Sequence, residues 1–176
     1  SSDLWEYPRR NHNSIPAATA RRLQRHPTFA SSGGQNKMAA LFSDDWMKQL
    51  MDAWNNEPEV KDKLAEIGFN SVIFCGLKDE DNPRGVFVVE NGVCVRAGAW
   101  SESDPAANWD MRASQGDWLK WVKKGIGMMG MGTAFATGKL KFKVGDYKAM
   151  MKDPRMANPF VKSFGLMQKI GADELG

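Results

Sequence analysis

Apolar residues recur with helical spacing from Trp46 through Met47, Leu50 and Met51 to Trp54, leaving Asp45, Lys48, Gln49 and Asp52 on the other side. That pattern predicts an amphipathic helix. Ser43 is placed to cap it, with Asp44 and Asp45 in the first turn, where the helix dipole favours acids. A second short helix follows, with Pro58 early, Val60, Leu64 and Ile67 inward, and Gly68 as its stop. The period then shortens. Ser71–Leu77 reads as a strand, and 78–84 as a charged turn containing Asn82-Pro83. Segments 85–90 and 93–99 flank Asn91-Gly92, a strong hairpin signal. After a loop over 101–107, residues 108–114 read as another strand. The middle of the chain is thus expected to be an antiparallel meander of about four strands.

Ser114 is expected to cap the next helix, with Asp117 three residues on. Its stripe is Trp118, Trp121, Val122 and Gly125; Asp117, Lys120, Lys123 and Lys124 form the wet side. From Ile126 to Phe135 the pattern is apolar all round, which predicts burial on every side or a wall facing a cavity. Lys139–Val144 alternates and reads as a half-buried strand, with Leu140, Phe142 and Val144 inward. A short helix is expected over 146–152. A last helix is expected to be capped by Asn158, with Pro159 at its first position and Gly171 at its end. Phe160, Phe164 and Met167 form its inner face.

Residues 125–130, Gly-Ile-Gly-Met-Met-Gly, match the glycine spacing of a dinucleotide-binding loop. That loop needs a strand before it, a helix after it and an acid about twenty residues on. Here a helix precedes it, and the next acid, Asp146, follows a strand. The dinucleotide reading fails. Among Met, Ile and Phe, the glycines suit either close helix-on-sheet packing or room for an apolar cavity lined by adaptable methionines.

Other chemistry is sparse. His12 and His26 both precede residue 43, so the rest of the chain has no imidazole for a triad, a base or a zinc site. Cys75 and Cys94 lie in strand patterns and read as buried thiols. Asp110 and Arg112 share a strand face and can pair, which is expected to be a surface contact. No catalytic residue, metal site or cofactor is expected. No apolar run reaches the 18 residues of a membrane span.

Composition divides the chain. Residues 1–43 carry six basic residues against two acids, a net +4, with no acid from Tyr7 to Ser43. Residues 44–176 carry 18 basic against 19 acidic residues, a net −1, which argues against a nucleic-acid partner. The Arg-rich, Ser- and Ala-rich start resembles an organelle-targeting leader. It implies a mitochondrial or other organelle matrix location, the cytoplasm being the alternative. Residues 1–42 are therefore expected to be an extension, with a protein partner as one role, and 43–176 the folded domain. The 11 Met and 7 Trp suit a soft binding cavity, although a plain core can use them too.

Two stretches carry a family resemblance. They are Trp109-Asp-Met-Arg-Ala-Ser-Gln-Gly-Asp-Trp-Leu-Lys-Trp121 and Thr133-Ala-Phe-Ala-Thr-Gly-Lys-Leu-Lys-Phe-Lys-Val-Gly-Asp146, with Phe135-x-x-Gly138-Lys139-Leu140-Lys141 at the centre of the second. Together with the order of elements from Phe42 to Ile170, they resemble the sterol carrier protein 2 (nonspecific lipid-transfer) family. The resemblance implies an α/β (α+β) fold, a mainly antiparallel five-stranded sheet with helices enclosing a hydrophobic tunnel. It implies a fatty acid, fatty acyl-CoA or sterol ligand and no catalysis. Residues 118–135 would wall the tunnel through Trp118, Trp121, Val122, Ile126, Met128, Met129, Met131 and Phe135, with Phe87 and Val95 from the sheet. Phe164 and Met167 would cover its mouth. Two functions remain open: lipid binding and transfer, or a structural accessory subunit that reuses the fold and docks through its extension.

Overall fold

The computed structural model describes residues 38–176. The extension expected over 1–42 lies outside these residues except for its last five. Of those, Leu41 and Phe42 are fully buried in the core, so the folded body starts ahead of Ser43. The element order is α1 (Asp44–Asn55), α2 (Pro58–Glu66), β1 (Ser71–Leu77), β2 (Gly85–Glu90), β3 (Val93–Ala99), β4 (Trp109–Ala113), α3 (Gln115–Lys124), α4 (Met128–Ala136), β5 (Lys141–Val144), α5 (Tyr147–Met151) and α6 (Pro154–Ile170).

Local signals set most of these boundaries. The Ser43 hydroxyl accepts from the Trp46 amide at 3.2 Å, and the Ser114 hydroxyl from the Asp117 amide at 3.1 Å. Both satisfy orphan donors of a first helical turn. Asn91 and Gly92 both have positive φ, 49° and 83°, as a type I′ turn requires. Gly92 also lets the α2 backbone at Lys61 and Ala65 approach closely; a Cβ there would collide with it.

The strands form one sheet in the order β3-β2-β1-β4-β5. Three of the four pairings are antiparallel, but β4 runs parallel to β1, with Ile73 beside Trp109 and Leu77 beside Ala113. The sheet is therefore mixed, and the expected four-strand antiparallel meander stops at β3. The reason lies in the segment after β3. It crosses the outer face of the sheet, where Trp100 and Ala107 cover Val72, Phe74 and Val86. Asn108 then locks on to β1: its side-chain oxygen accepts from the Val72 amide, and its amide donates to the Val72 carbonyl, both at 2.8 Å.

The helices pack on the other face. Helix α1 lies against β2 and β3, and α6 touches α1, α2, α3 and α5. Three tryptophans anchor this layer, each donating its indole N–H to a distant carbonyl. Trp46 reaches Gly171 at 3.0 Å, Trp54 reaches Gly92 at 2.8 Å and Trp118 reaches Gly76 at 2.9 Å. Such bonds let a large ring be buried without an orphaned donor.

Several expectations need correction. Helix α6 begins at Pro154, capped by Asp153, so Pro159 lies inside the helix instead of at its start. Asp153-Pro154 and Asn158-Pro159 carry the same cap-then-proline signal, and the earlier pair acts. Val144 is exposed, because the register slips between Asp110 and Met111; Met111 faces Phe142 and Asp110 faces Val144, leaving Lys143 as the extra residue. Asp110 and Arg112 are not a surface pair. They are 6 % and 1 % exposed, beneath the β1–β2 loop.

Candidate functional site

Between the sheet and the helices lies an apolar cavity of about 60 Å³. The sheet supplies Ile73, Cys75, Phe87, Trp109, Met111 and Phe142. Helix α1 supplies Met47, Leu50 and Trp54, α2 supplies Leu64, and Phe69 follows it. Helices α5 and α6 close the space with Met150, Met156, Phe160, Ser163 and Met167. Five of the sixteen lining residues are methionines, flexible side chains that can repack around a guest.

The cavity is small. Its volume is a small fraction of that of sites for drug-sized ligands, which run to roughly 300–1,000 Å³. An acyl chain needs the wall to open. The lining is almost wholly apolar, so the space has little to hold water. The Ser163 hydroxyl is turned to its own helix, donating to the Phe160 carbonyl at 2.6 Å. Trp109 is different: its buried indole N–H has no hydrogen-bond partner among the described residues. Its ring is held by Phe142, edge-on at 6.1 Å, and by Gly145, whose φ of 107° and missing Cβ leave room for it. Burial pushes the Cys75 thiol at the cavity wall, and the Cys94 thiol elsewhere, up to about 12.

The expected tunnel residues are scattered by the fold. Phe87 and Met167 line the cavity. Phe164 is buried in the helix layer, stacked on Trp118 at 6.0 Å, and Trp121 and Val122 are buried beside them. Met131 is fully buried, while Ile126 and Phe135 are half-buried, and none of these lines the cavity. Phe135 stacks on Tyr147 at 4.2 Å.

Three placements are corrections. Val95 is 50 % exposed, because the β2–β3 register slips between Val88 and Val89. Val95 is the extra residue, so Val95 and Arg96 both face outward while Cys94 and Ala97 face in. Met128 and Met129 are 45 % and 89 % exposed, so α4 is not apolar because it is buried. Nor do its glycines make the cavity: Gly130 is on the exposed side. A composition that is apolar all round does not reveal which sides have neighbours. Helices α1, α5 and α6 supply much of the true lining, and Met47, Met150, Met156 and Met167 are the signal for it in the sequence.

A second concavity of about 570 Å³ lies between α2 and α6. It is open, and lined by charged residues such as Glu59, Lys63, Glu66, Arg155 and Lys162, so it cannot shield an apolar chain from water. Among the described residues no cluster of side chains could hold a metal, and no helix is long and apolar enough to cross a membrane.

The architecture matches solved structures. A crystal structure of sterol carrier protein 2 superposes with a TM-score of 0.59 at 15 % identity, covering 73 % of this chain and 98 % of that one. The chain has the sterol carrier protein 2 fold. A conserved hypothetical protein from Thermus thermophilus, described as a candidate sterol carrier protein, gives a TM-score of 0.51 at 18 % identity, covering 79 % of this chain and 97 % of its own. No protein-family model matches the chain, and no curated protein matches it. The resemblance seen in the sequence therefore holds at the level of the sterol carrier protein 2 fold, and the cavity occupies the space between that fold's sheet and its helices.

Proposed function

We propose that this protein binds lipid without catalysis, taking an acyl chain or sterol between α6 and the inner face of the sheet. The observation that carries the reading is the apolar cavity between sheet and helices, with methionine on five of its sixteen lining positions. The fold is shared with a protein named as a sterol carrier, which supports the same reading. Burial of a chain is favourable by about 0.8 kcal/mol per CH₂. Displacing methionine side chains, rather than moving the sheet, is the least costly way to widen the space.

The test is mass spectrometry of the protein as purified, under native conditions and after organic extraction. A stoichiometric acyl chain or sterol is the expected result and names the ligand class. An empty protein that also fails to take up fluorescent fatty acid overturns the reading. The small volume of the cavity favours a second reading in that event. The protein is then an accessory subunit of a larger assembly, docked through residues 1–42. Deleting those residues would abolish assembly in the second case and leave lipid affinity intact in the first.

A further inference from the structure

The near-neutral total of residues 44–176 hides a segregated charge. Residues 118–145, which make up α3 from its first turn onward, α4 and β5, hold Lys120, Lys123, Lys124, Lys139, Lys141 and Lys143 and no acid. The rest of 44–176 holds twelve basic and nineteen acidic residues, a net −7. All six lysines are exposed. Among the described residues, Lys123 approaches Asp173 at 3.8 Å and Lys143 donates to the Asp81 carbonyl; the other four make no ion pair.

Between these lysines stands α4, and its solvent side is apolar. Met129 is 89 % exposed, the most exposed large hydrophobic residue described, and Met128 is 45 % exposed. Gly130, Thr133 and Ala136 complete that side without a charge. Met131 and Ala134 hold the opposite side in the core. Lysines flank the helix at both ends. Lys123 and Lys124 end α3, three residues before α4 begins, and the Lys141 stem lies beside Gly138, just past its end.

We propose that α4 is a docking surface for an anionic lipid membrane. Met128 and Met129 enter the interface between headgroups and acyl chains, and the surrounding lysines engage negative headgroups. An apolar helix face bordered by lysines has the two components of interfacial binding, apolar burial and attraction to anionic lipid. A nucleic acid would use the lysines and leave two methionines in water. This proposal stands whether or not the cavity takes lipid, because none of these residues lines it.

Flotation of the full chain with phosphatidylcholine vesicles, with and without roughly a third phosphatidylserine, tests it. The chain should float with the anionic vesicles, lose binding in high salt and ignore the neutral ones. Replacing Met128→Ser and Met129→Ser together, which leaves every charge in place, should lower binding by about tenfold or more. Lys120→Glu with Lys124→Glu should do the same. The methionine variant should keep the wild-type melting temperature, since both side chains are exposed; the glutamate variant should lose only a few degrees, because it places an acid in the last turn of α3. Three results would overturn the proposal. One is undiminished vesicle binding by the methionine variant, which would move the site to another basic segment. Another is preference for a nucleic acid over anionic vesicles. The last is self-association of the wild type that the methionine variant abolishes, which would make α4 a contact between copies.

Discussion

Arg112 grips Asp110 from two residues along the same strand, with Nε 2.6 Å from Oδ1 and Nη2 3.1 Å from Oδ2. Its other N–H groups donate to the carbonyls of Leu77, Glu80 and Asp81, so one side chain pins the β1–β2 loop on to β4. Losing one partner of such a pair costs far more than replacing both. Arg112→Leu should destabilise the protein by about 3–5 kcal/mol. The joint change of Asp110→Leu and Arg112→Leu should cost clearly less. Urea denaturation checks both, and a single variant that melts like the wild type would refute the account.

Ser163 is the small residue through which the cavity can be filled. Its hydroxyl serves only its own helix, so its loss orphans no distant group. Ser163→Leu should cut fatty-acid uptake by about tenfold, or 1.4 kcal/mol, with stability changing by no more than roughly 1–3 kcal/mol. Gly130→Leu, on the exposed side of α4, should leave uptake unchanged. Fluorescent fatty-acid titration of the two variants separates the sites.

Cys75 lines the cavity and Cys94 does not. Both thiols are pushed up to about 12 by burial, so near neutral pH both are protonated and poor nucleophiles. Iodoacetamide should modify each slowly in the folded protein. Saturating fatty acid should slow Cys75 further and leave Cys94 alone. Peptide mass mapping reads the two rates separately, and equal protection of both would point to general tightening instead of an occupied cavity.

Acid should weaken the β1–β2 loop. Glu80 accepts from Arg84 at 2.7 and 3.0 Å, and these bonds hold its carboxyl below the ordinary value of 4.5. A depressed carboxyl contributes stability above its unfolded value and loses it as pH falls through the folded one. The contribution is therefore present at neutral pH and fades below about 4.5. The pair is partly exposed, so the effect is modest and screened by salt. Glu80→Gln should flatten the fall in melting temperature between about pH 5 and 3. A parallel fall in both proteins would remove Glu80 from the explanation.

What is legible in the sequence depends on neighbouring residues. Ser43 and Ser114 cap, Asn91-Gly92 turns and Ser71–Leu77 is extended because each satisfies its own backbone. What stays hidden depends on distant partners. Val95 and Val144 fit an alternating pattern, but each lies at a slip of register decided by the opposite strand. The parallel placement of β4 is set by Asn108 meeting Val72, 36 residues away. The cavity draws on eight elements and one connecting residue, so no single window of sequence outlines it. Met167 is legible as an inward residue from helical spacing, but as lining residues both it and Phe87 are legible only because the family resemblance supplies an architecture. The methionines of α1 and α5 are masked by the denser run in α4.

The crossover to β4 also dictates an order of events. The three strands β1 to β3 can zip through one short loop and one tight turn, whereas Ile73 meets Trp109 only after 36 residues have been closed into a ring. Closing long loops and pairing distant strands is the slow part of folding. Amide exchange during refolding should thus protect Val86–Val89 before Asp110–Arg112. Until β4 and β5 arrive with Trp109, Met111 and Phe142, the cavity is half a wall facing water. During synthesis, a ribosome that has delivered only α1, α2 and the first three strands displays that wall, which makes the interval before Trp109 emerges the one in which a chaperone has most to shield.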